Sequence, residues 1–333
     1  MTINVCFATN DHYAPHAAAL IVSIMENKLP EDELSFHFFS DKTSPLIQKT
    51  FCQMSREIGF RLAIYEMSGE RFDNFPEYFG NRTIYFRLSM HRMLPDSIKK
   101  ILYLDCDMIV MSSLKELYST DISDHYAAVV AEMLRRHLPL KGAYFNSGMI
   151  LFNLEKYRDE NLEEQALQFA CEHPEWLHCP DQDTLNYIFK GNVVYSPLKW
   201  NMMYDEGTAE YIASKGYGMP YSKEEVREAE SNPGIVHYTT VKKPWTASCR
   251  HPHQASYWKY ARQTPFYESV LLKMLSDKVP VKDINKNHEQ EIKRCKRKVK
   301  QYRMLQALTL GLVKSFHRKK RHYRNRIKQL AVM

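Results

Sequence analysis

The sequence predicts an α/β domain with a mostly parallel sheet flanked by helices, followed by a basic tail. Two observations carry this prediction. Strand-like and helix-like segments alternate through the first two-thirds of the chain, and the residues after 285 are rich in lysine and arginine. The 333 residues are 44% apolar and 12% aromatic, which is enough to bury the core of one large α/β domain or two average domains.

The predicted elements follow from composition and periodicity. Short β-branched and aromatic runs predict strands at Ile3–Thr9, Leu34–Phe39, Arg61–Tyr65, Ile101–Leu104, Tyr126–Ala131, Met149–Asn153 and Gly234–Tyr238. Apolar residues at helical spacing predict helices at 15–28, 44–58, 162–171 and 181–190. Asp181 is the predicted N-cap of the last helix, and Gly191 its stop.

The charge is unevenly distributed along the chain. Residues 286–333 contain 16 Lys/Arg against two glutamates, so they carry +14, and residues 1–285 carry −7 of the formal total of +7. We therefore expect a catalytic domain over 1–280 and a basic, amphipathic helical segment over 281–333. Apolar side chains recur in that segment at near-helical spacing: Leu305, Leu308, Leu312, Val313 and Phe316. This pattern favours an anionic membrane surface, while nucleic-acid binding and a solvated, disordered tail are the alternatives.

Several protein classes are disfavoured. The N-terminal residues show no charged region followed by an apolar run, so no secretory signal is expected. No window approaches the roughly 20 apolar residues of a transmembrane helix. The seven cysteines are scattered without a CxxC pair, which favours reduced thiols and a cytoplasmic protein.

Asp105-Cys106-Asp107 is the first candidate site. It directly follows a predicted strand, and strand ends are where open α/β sheets bind ligands. Two carboxylates one residue apart can approach one divalent cation, and oxygen ligands suit Mg²⁺ or Mn²⁺. Turn-forming Asp pairs also occur by chance, but the apolar runs on both sides would make two buried charges costly without a partner.

His237 is the second candidate, because it ends the last predicted strand. Imidazole beside two carboxylates favours Mn²⁺ over Mg²⁺, although a histidine in this position is more often structural. The basic Lys242-Lys243 pair nearby supplies the cations that a diphosphate needs, and Thr240 offers a hydroxyl.

Two weaker motifs complete the set. Asp181-Gln182-Asp183 occupies the first turn of a predicted helix, where carboxylates are most simply explained as caps. Asn146-Ser147-Gly148 precedes a predicted strand, where Gly allows close backbone approach and Asn can bind sugar hydroxyls.

Taken in order, these motifs resemble glycosyltransferase family 8, whose members are retaining enzymes with the GT-A fold and include bacterial lipopolysaccharide galactosyl- and glucosyltransferases. The resemblance covers roughly residues 3 to 260. The segments that carry the resemblance, including the motifs above, are Phe7–Tyr13, Thr83–Leu88, Leu102–Asp107, Tyr144–Gly148, Asp181–Asn186 and the segment from His237 to Trp245.

The resemblance implies a role for each matching residue. Asp105, Asp107 and His237 would hold Mn²⁺, with Mg²⁺ as the alternative ion. The expected uridine-binding residues are Ala8, Asn10 and Tyr13, and those around the donor sugar are Arg87, Asn146, Asp181 and Gln182, with Gln182 and Asp181 as the catalytic candidates. Lys243 matches a diphosphate-binding lysine. Asn10 replaces an Asp of many relatives, and Thr240 replaces a Gly at the phosphate.

The expected activity is transfer of galactose or glucose from a UDP-sugar to a glycan or glycolipid hydroxyl, such as the lipopolysaccharide core, with retention. Front-face attack is favoured over double displacement because Gln182 is a poor nucleophile. The expected location is the inner face of the cell membrane, held peripherally, with no nucleic-acid partner. A nucleotidyltransferase is the alternative enzyme, although the chain has no Gly before Gly59 for a phosphate loop, and a non-catalytic membrane- or nucleic-acid-binding protein is the other alternative.

Overall fold

The chain is described here by a computed structural model over residues 1–72, 75, 82–132, 143–203, 220–276 and 296–301. It divides into two compact units, Met1–Leu272 and Lys273–Met333. In the second unit the described stretches are 273–276 and 296–301, and both are helical. The predicted amphipathic segment around Leu305–Phe316 lies outside the described residues, so the tail and the domain boundary at 280 stay predictions.

A seven-stranded sheet forms the centre of the first unit. Its strands are β1 (Thr2–Thr9), β2 (Glu33–Ser40), β3 (Arg61–Glu66), β4 (Lys100–Leu104), β6 (Ala127–Ala131), β7 (Phe145–Asn153) and β8 (Val193–Tyr195). They are ordered β3-β2-β1-β4-β7-β6-β8, and β7 alone of these runs antiparallel to its neighbours. A separate two-stranded antiparallel ribbon pairs β5 (Met108–Val110) with β9 (Ile235–His237). The predicted mostly parallel α/β sheet is therefore confirmed.

Helices cover both faces of this sheet. They are α1 (Ala14–Asn27), α2 (Pro45–Ile58), α3 (Phe86–Ser89), α4 (Lys115–Tyr118), α5 (Leu154–Asp159), α6 (Leu162–Glu172), α7 (Pro180–Phe189), α8 (Lys223–Ser231), α9 (Gln254–Ala261) and α10 (Tyr267–Ser276). Among the described residues, none of these helices is both long enough and apolar enough to span a bilayer.

Alternate residues of the strands contribute their side chains to two hydrophobic cores, one on each face of the sheet. In β1, Val5 and Phe7 pack with α1 on one face, whereas Cys6 packs with α3, α6 and α7 on the other. Side chains of a strand alternate between faces, so a strand covered on both sides is apolar throughout. That is why the predicted strands read as continuous apolar runs.

Two boundaries differ from the predictions, and both concern the site. β7 begins at Phe145 rather than Met149, so Asn146-Ser147-Gly148 lies within the strand. Its pairing with β6 shifts register, since Val129 lies opposite Ile150 but Val130 lies opposite Asn146. The polar and small residues there have low strand propensity, and the irregularity breaks the alternation that a strand prediction depends on.

The other boundary is the start of α7. The helix begins at Pro180 after Cys179, so Asp181 is not its N-cap. Proline is favoured in the first turn of a helix, because an N–H group at that position would have no partner within the helix. The preference of Pro180 for the first turn outweighs the preference of Asp181 for the N-cap. The sequence patterns do not predict β5, β8, α3–α5 or α8–α10, because the segments that form them are short or carry mixed polar and apolar residues.

Candidate active site

The site lies where β1 and β4 end. These strands are parallel, so their carboxyl ends share one edge of the sheet, and Asp105 follows β4 directly. The ribbon of β5 and β9 then places His237 opposite Met108. The backbone N–H of Tyr238 donates to the carbonyl of Asp107 over 3.0 Å, which fastens the two segments together. The chain thereby brings a histidine 130 residues downstream against the two aspartates.

Asp105, Asp107 and His237 offer three ligand atoms that all lie within 4.8 Å of one another. His237 Nε2 is 3.2 Å from Asp107 Oδ1 and 3.8 Å from Asp105 Oδ2. Two carboxylate oxygens and one imidazole nitrogen suit a divalent ion such as Mn²⁺. The donor set and its convergence therefore fit a metal centre.

The remaining oxygen of each carboxylate is held by a basic side chain. Arg87 Nη2 donates to Asp105 Oδ1 over 2.8 Å, and Lys243 Nζ donates to Asp107 Oδ2 over 2.6 Å. The Tyr103 hydroxyl adds a 3.2 Å bond to Asp105 Oδ1. Each aspartate thus turns one oxygen toward a cationic or phenolic partner and the other toward His237.

The electrostatics of the site favour an ionised Asp107. Burial opposes ionisation of Asp107, but the Lys243 ammonium group outweighs burial and holds the pKa of that carboxyl well below its ordinary value. Burial by itself would lower the pKa of Arg87, yet Asp105 and Asp181 raise it above its ordinary value. A carboxylate that stays ionised remains available as a metal ligand over the physiological range.

Gly148 keeps the space between these groups open. The backbone N–H of Asp105 donates to the Gly148 carbonyl over 2.8 Å, so the two residues are adjacent across the sheet. A Cβ at position 148 would lie 2.4 Å from His237 Cε1, 2.8 Å from Asp105 Oδ2 and 2.9 Å from Asn146 Oδ1. No side chain larger than hydrogen fits there without displacing the ligands.

These groups line a cleft of about 750 Å³. All twelve residues singled out from the sequence contribute to its wall: Ala8, Asn10, Tyr13, Arg87, Asp105, Asp107, Asn146, Asp181, Gln182, His237, Thr240 and Lys243. They come from six separate segments of the chain. The volume is in the range of small-molecule sites in proteins.

Comparison with known proteins identifies the family. The model of the family described as glycosyl transferase family 8 matches residues 4–249, about three-quarters of the chain. The chain belongs to glycosyl transferase family 8. The match spans every site residue discussed above.

Several curated relatives of this transferase are similar over most of their length. General stress protein A of Bacillus subtilis is 27% identical over 273 residues, which is 79% of this chain and 94% of the relative. The lipopolysaccharide 1,2-glucosyltransferase of Escherichia coli K12 is 26% identical, over 78% and 77% of the two chains. The lipopolysaccharide 1,3-galactosyltransferase of Salmonella typhimurium is 25% identical, over 81% and 80%.

A solved structure supports the fold. The galactosyltransferase LgtC, crystallised with donor and acceptor sugar analogs, superposes with a TM-score of 0.69 at 24% identity. The likeness covers 79% of this chain and 96% of that one. The predicted GT-A architecture of the family 8 enzyme is therefore confirmed.

In this transferase Gln182 is held on all sides by protein groups. Its Oε1 accepts from the Ser147 backbone N–H at 2.9 Å and from Asn146 Nδ2 at 3.0 Å. Its Nε2 donates to Glu132 Oε2 and to the Tyr144 hydroxyl, both at 3.0 Å. A side-chain amide has two donor hydrogens and two acceptor positions, so these four bonds use them all.

The carboxylates of Asp181 and Asp183, on either side of Gln182 in the sequence, make different contacts. Asp181 faces the cleft, where its Oδ2 lies 3.1 Å from Arg87 Nε and accepts from Ser147 Oγ at 3.0 Å. Burial raises the pKa of Asp181 above its ordinary value, although Arg87 opposes the effect. Asp183 Oδ2 instead accepts from the backbone N–H groups of His178 and Cys179, both at 2.7 Å. The capping interpretation therefore holds for Asp183 and is wrong for Asp181.

Asn10 uses its carbonyl oxygen locally. Oδ1 accepts from the backbone N–H groups of His12 at 3.0 Å and Tyr13 at 3.1 Å, which shapes the turn into α1. An amide whose oxygen is committed in this way presents its N–H₂ group outward, because backbone N–H groups can only donate. Asn10 therefore offers the cleft a donor, where an aspartate would offer an acceptor.

Sequence reasoning missed three polar residues of the site: Glu132, Tyr144 and Asn201. The first lines the cleft, and the other two are buried behind it. Glu132 follows the apolar run of β6 directly, as Asp105 follows β4, so the strand-end rule could have identified it. Asn201 carries no such signal, since it is the last residue of a short 3-10 helix, Leu198–Asn201, and does not follow a strand.

Proposed function

We propose that this transferase moves galactose or glucose from a UDP-sugar to a hydroxyl of a glycan or glycolipid, with Mn²⁺ as cofactor and with retention. The observation that carries the proposal is the convergence of the Asp105, Asp107 and His237 ligand atoms beside the Lys243 ammonium group. Phosphate oxygens and a divalent ion need this combination of ligands and positive charge. The named activities of the Escherichia coli and Salmonella relatives support a hexose and a lipopolysaccharide-type acceptor.

Several charged residues of the cleft would stabilise the departing diphosphate. Asp105, Asp107 and His237 would hold a divalent cation, which would supply positive charge at the departing diphosphate. Lys243 adds a second, flexible positive charge next to the same ligands, and a charge-assisted bond of this kind is worth about 1.5–3 kcal/mol. Arg87 pairs with both Asp105 and Asp181, so it fixes the ligand carboxylate and the sugar-facing carboxylate to each other.

Retention is best explained by front-face attack. A double displacement would need a nucleophile, and the amide of Gln182 has every hydrogen-bonding position occupied by protein groups. Asp181 is the remaining candidate, but the oxygen Oδ2 is engaged by Arg87 and Ser147. The departing phosphate then accepts the proton of the attacking hydroxyl. An inverted anomeric product, detected by NMR, would contradict this mechanism.

The test is release of UDP from a panel of UDP-sugars with and without Mn²⁺. Wild-type protein should release UDP from one hexose donor in a metal-dependent way, and acceptor glycans should accelerate release. Asp105→Asn should lower the rate by about 10³-fold, because it removes a ligand carboxylate that also pairs with Arg87. Asp121→Asn, an exposed aspartate that accepts a bond from Ser123, is the matched control and should not change it. Metal-independent release that survives Asp105→Asn would refute the proposal.

The basic segment after residue 285 gives the proposed location. We propose that it holds the enzyme peripherally on the inner, anionic face of the cell membrane, where lipid-linked acceptors are made. Each Lys or Arg near such a surface contributes about 1 kcal/mol, so a part of the +14 charge suffices. Full-length protein should co-sediment with liposomes containing acidic lipid, and protein truncated after residue 285 should not. Equal sedimentation of the two would rule the segment out, and selective binding to RNA would favour a nucleic-acid partner instead.

A further inference from the structure

Behind the ligand cluster lies a short chain of hydrogen-bonded side-chain amides. His237 Nδ1 is 2.9 Å from Asn201 Oδ1, and Asn201 Nδ2 is 3.0 Å from Asn146 Oδ1. The backbone N–H of Gly148 donates to the same Asn146 oxygen over 2.9 Å. Asn201 is fully buried, with 0% of its surface exposed. A buried amide is retained where its hydrogen bonds do something that an apolar side chain would not.

The direction of each bond in this chain is determined by the backbone. A backbone N–H can only donate, so the Asn146 atom that faces Gly148 must be its oxygen. The Asn201 atom that faces this oxygen must then be its nitrogen. It follows that Asn201 turns its oxygen toward His237, and that His237 Nδ1 carries a proton and donates it.

The position of this proton determines the state of the other ring nitrogen, His237 Nε2. With the proton of the neutral imidazole on Nδ1, the lone pair of Nε2 points at Asp107 Oδ1, 3.2 Å away, and Asp105 Oδ2, 3.8 Å away. Three electron-pair donors then face one another with no hydrogen between them. A bound divalent cation satisfies all three donors at once, whereas a second ring proton on Nε2 would bond to one carboxylate oxygen only. The other tautomer would place a hydrogen in the same space.

We propose that Asn201 is a positioning residue that holds His237 in the tautomer with its proton on Nδ1 and its metal-binding lone pair on Nε2. This inference rests on the proposed metal-dependent transfer, because it assigns the state of one proposed ligand. The Gly148 backbone N–H, through Asn146, orients Asn201. Groups that orient a ligating histidine in this way affect metal affinity by about 10- to 100-fold when they are removed.

Asn146 also joins this chain to the opposite wall of the cleft. Its Nδ2 donates to Gln182 Oε1 over 3.0 Å, while its Oδ1 accepts from Asn201. The Ser147 backbone N–H donates to the same Gln182 oxygen and fixes that amide too. One side-chain amide therefore orients both the ligand histidine and the sugar-facing glutamine. Gln182 cannot turn over without losing its bond to the Ser147 N–H of β7, and the His237 ring cannot turn over without losing its bond to Asn201.

The first test is ¹⁵N NMR of the His237 ring in metal-free, full-length wild-type protein, at a pH about two units above the ordinary histidine pKa of about 6.5. Nδ1 should show the shift of a protonated nitrogen and Nε2 that of an unprotonated one. A proton on Nε2 overturns the proposal. This measurement uses neither metal nor donor, so it stands even if the enzyme proves not to bind Mn²⁺, a result that would instead count against the proposed function.

The second test compares two variants of Asn201 by Mn²⁺ titration. Asn201→Leu has a similar shape without an acceptor, and should weaken Mn²⁺ binding 10- to 100-fold and mix the His237 tautomers. Asn201→Asp keeps an oxygen for His237 and should keep the Nδ1-protonated tautomer, although its second oxygen cannot replace the bond that Asn201 Nδ2 donates to Asn146. Unchanged Mn²⁺ affinity and tautomer in Asn201→Leu would overturn the proposal.

The matched control is Asn153→Leu. Asn153 is also buried, but its amide serves the turn before β6 and the start of α5, donating to the Ile122 and His125 carbonyls and accepting from the Lys156 backbone N–H. Its loss should lower thermal stability and leave Mn²⁺ affinity and the His237 spectrum unchanged. If Asn201→Leu does not fold, the ¹⁵N spectra of the His237 ring in Asn201→Asp and in wild-type protein still test the proposed tautomer. Equal loss of Mn²⁺ binding in Asn153→Leu and Asn201→Leu would indicate general destabilisation and overturn the specific role.

Discussion

The two sides of the cleft are built from different chemistry. On one side, Asp105 and Asp107 are held by the charged groups of Arg87 and Lys243. On the other side, Asn146 and Gln182 are neutral and are held by hydrogen bonds whose direction the backbone determines. We call these the charged side and the amide side.

The contrast separates two requirements of the reaction. In the proposed reaction the charged side binds a divalent ion and a diphosphate, and each of its carboxylates keeps one oxygen that is not bonded to Arg87 or Lys243. The amide side has to hold groups in one orientation, for which neutral hydrogen bonds suffice because each amide end can only donate or only accept. Substitutions on the charged side should therefore alter stability, affinity and metal-dependent rate, and substitution of Gln182 on the amide side should alter turnover with little change in the KM for the donor.

The largest expected effect is on stability, from the charged side. Arg87→Met leaves Asp105 and Asp181 buried without their shared cation, and removing one partner of a buried pair costs about 3–5 kcal/mol. Urea unfolding in the absence of metal measures this. The control is Arg61→Met, because Arg61 pairs with Glu33 on the surface and should contribute less than about 1 kcal/mol. Equal losses of unfolding free energy in the two variants would show that the ion pairs of Arg87 stabilise the fold no more than a surface ion pair does.

Next comes an amide-side change that should act on turnover. Gln182→Leu removes four hydrogen bonds that orient Asn146, Ser147, Glu132 and Tyr144 around the reacting face. Misplacement of about 1 Å costs on the order of 10²-fold, so kcat should fall by about that factor while the KM for the donor stays within a few-fold. Steady-state kinetics decide this. The control is Gln165→Leu, on the exposed face of α6, and a large rise in KM with unchanged kcat would contradict the distinction between the two sides.

A smaller effect is expected from Lys243→Met on the charged side. Lys243 bonds Asp107 and the Tyr238 carbonyl and lies where a diphosphate would meet the metal ligands. Loss of one charge-assisted bond of about 2 kcal/mol should lower kcat/KM for the donor roughly 30-fold. The neighbouring Lys242 is exposed, so Lys242→Met should change it by less than about twofold. If both lysines matter equally, general electrostatic attraction rather than a specific contact explains the site.

The smallest effect is expected at Asn10, at the predicted nucleoside end of the cleft. Asn10→Asp keeps an oxygen for the His12 and Tyr13 N–H groups and replaces the outward N–H₂ donor with an acceptor. Uracil carries a hydrogen on N3 and cytosine does not, so the preference for UDP over CDP should rise about tenfold, the worth of one hydrogen bond. Competitive inhibition by the two nucleotides measures it. An unchanged ratio would place the base elsewhere.

The charged side could be predicted from sequence because its signals are local. Asp105 and Asp107 follow an apolar run that must be a strand, and carboxylates at such ends point to a ligand site. His237 likewise ends a short apolar run. The sheet could be predicted for the same reason, since strands buried on both faces are apolar throughout.

The amide side could be predicted only in part. Local pattern marks the motifs around Asn146 and Gln182 only weakly, and the family resemblance supplies the roles of these two residues. The predicted start of β7 is four residues late because the strand begins with polar and small residues whose pairing is irregular. Asn201 could not have been found, because its partners Asn146 and His237 are 55 and 36 residues away. Its function exists only in the folded arrangement, where sequence spacing gives no information.

Gly148 has a practical consequence for anyone who wishes to redesign this enzyme. A methyl group there would lie among His237, Asp105 and Asn146, so a saturation library at this position should return only the parent residue as active. Val241 behaves in the opposite way, because it lines the rim of the cleft with 81% of its surface exposed. Efforts to broaden the range of acceptors should therefore diversify the rim around Val241 and leave β7 untouched.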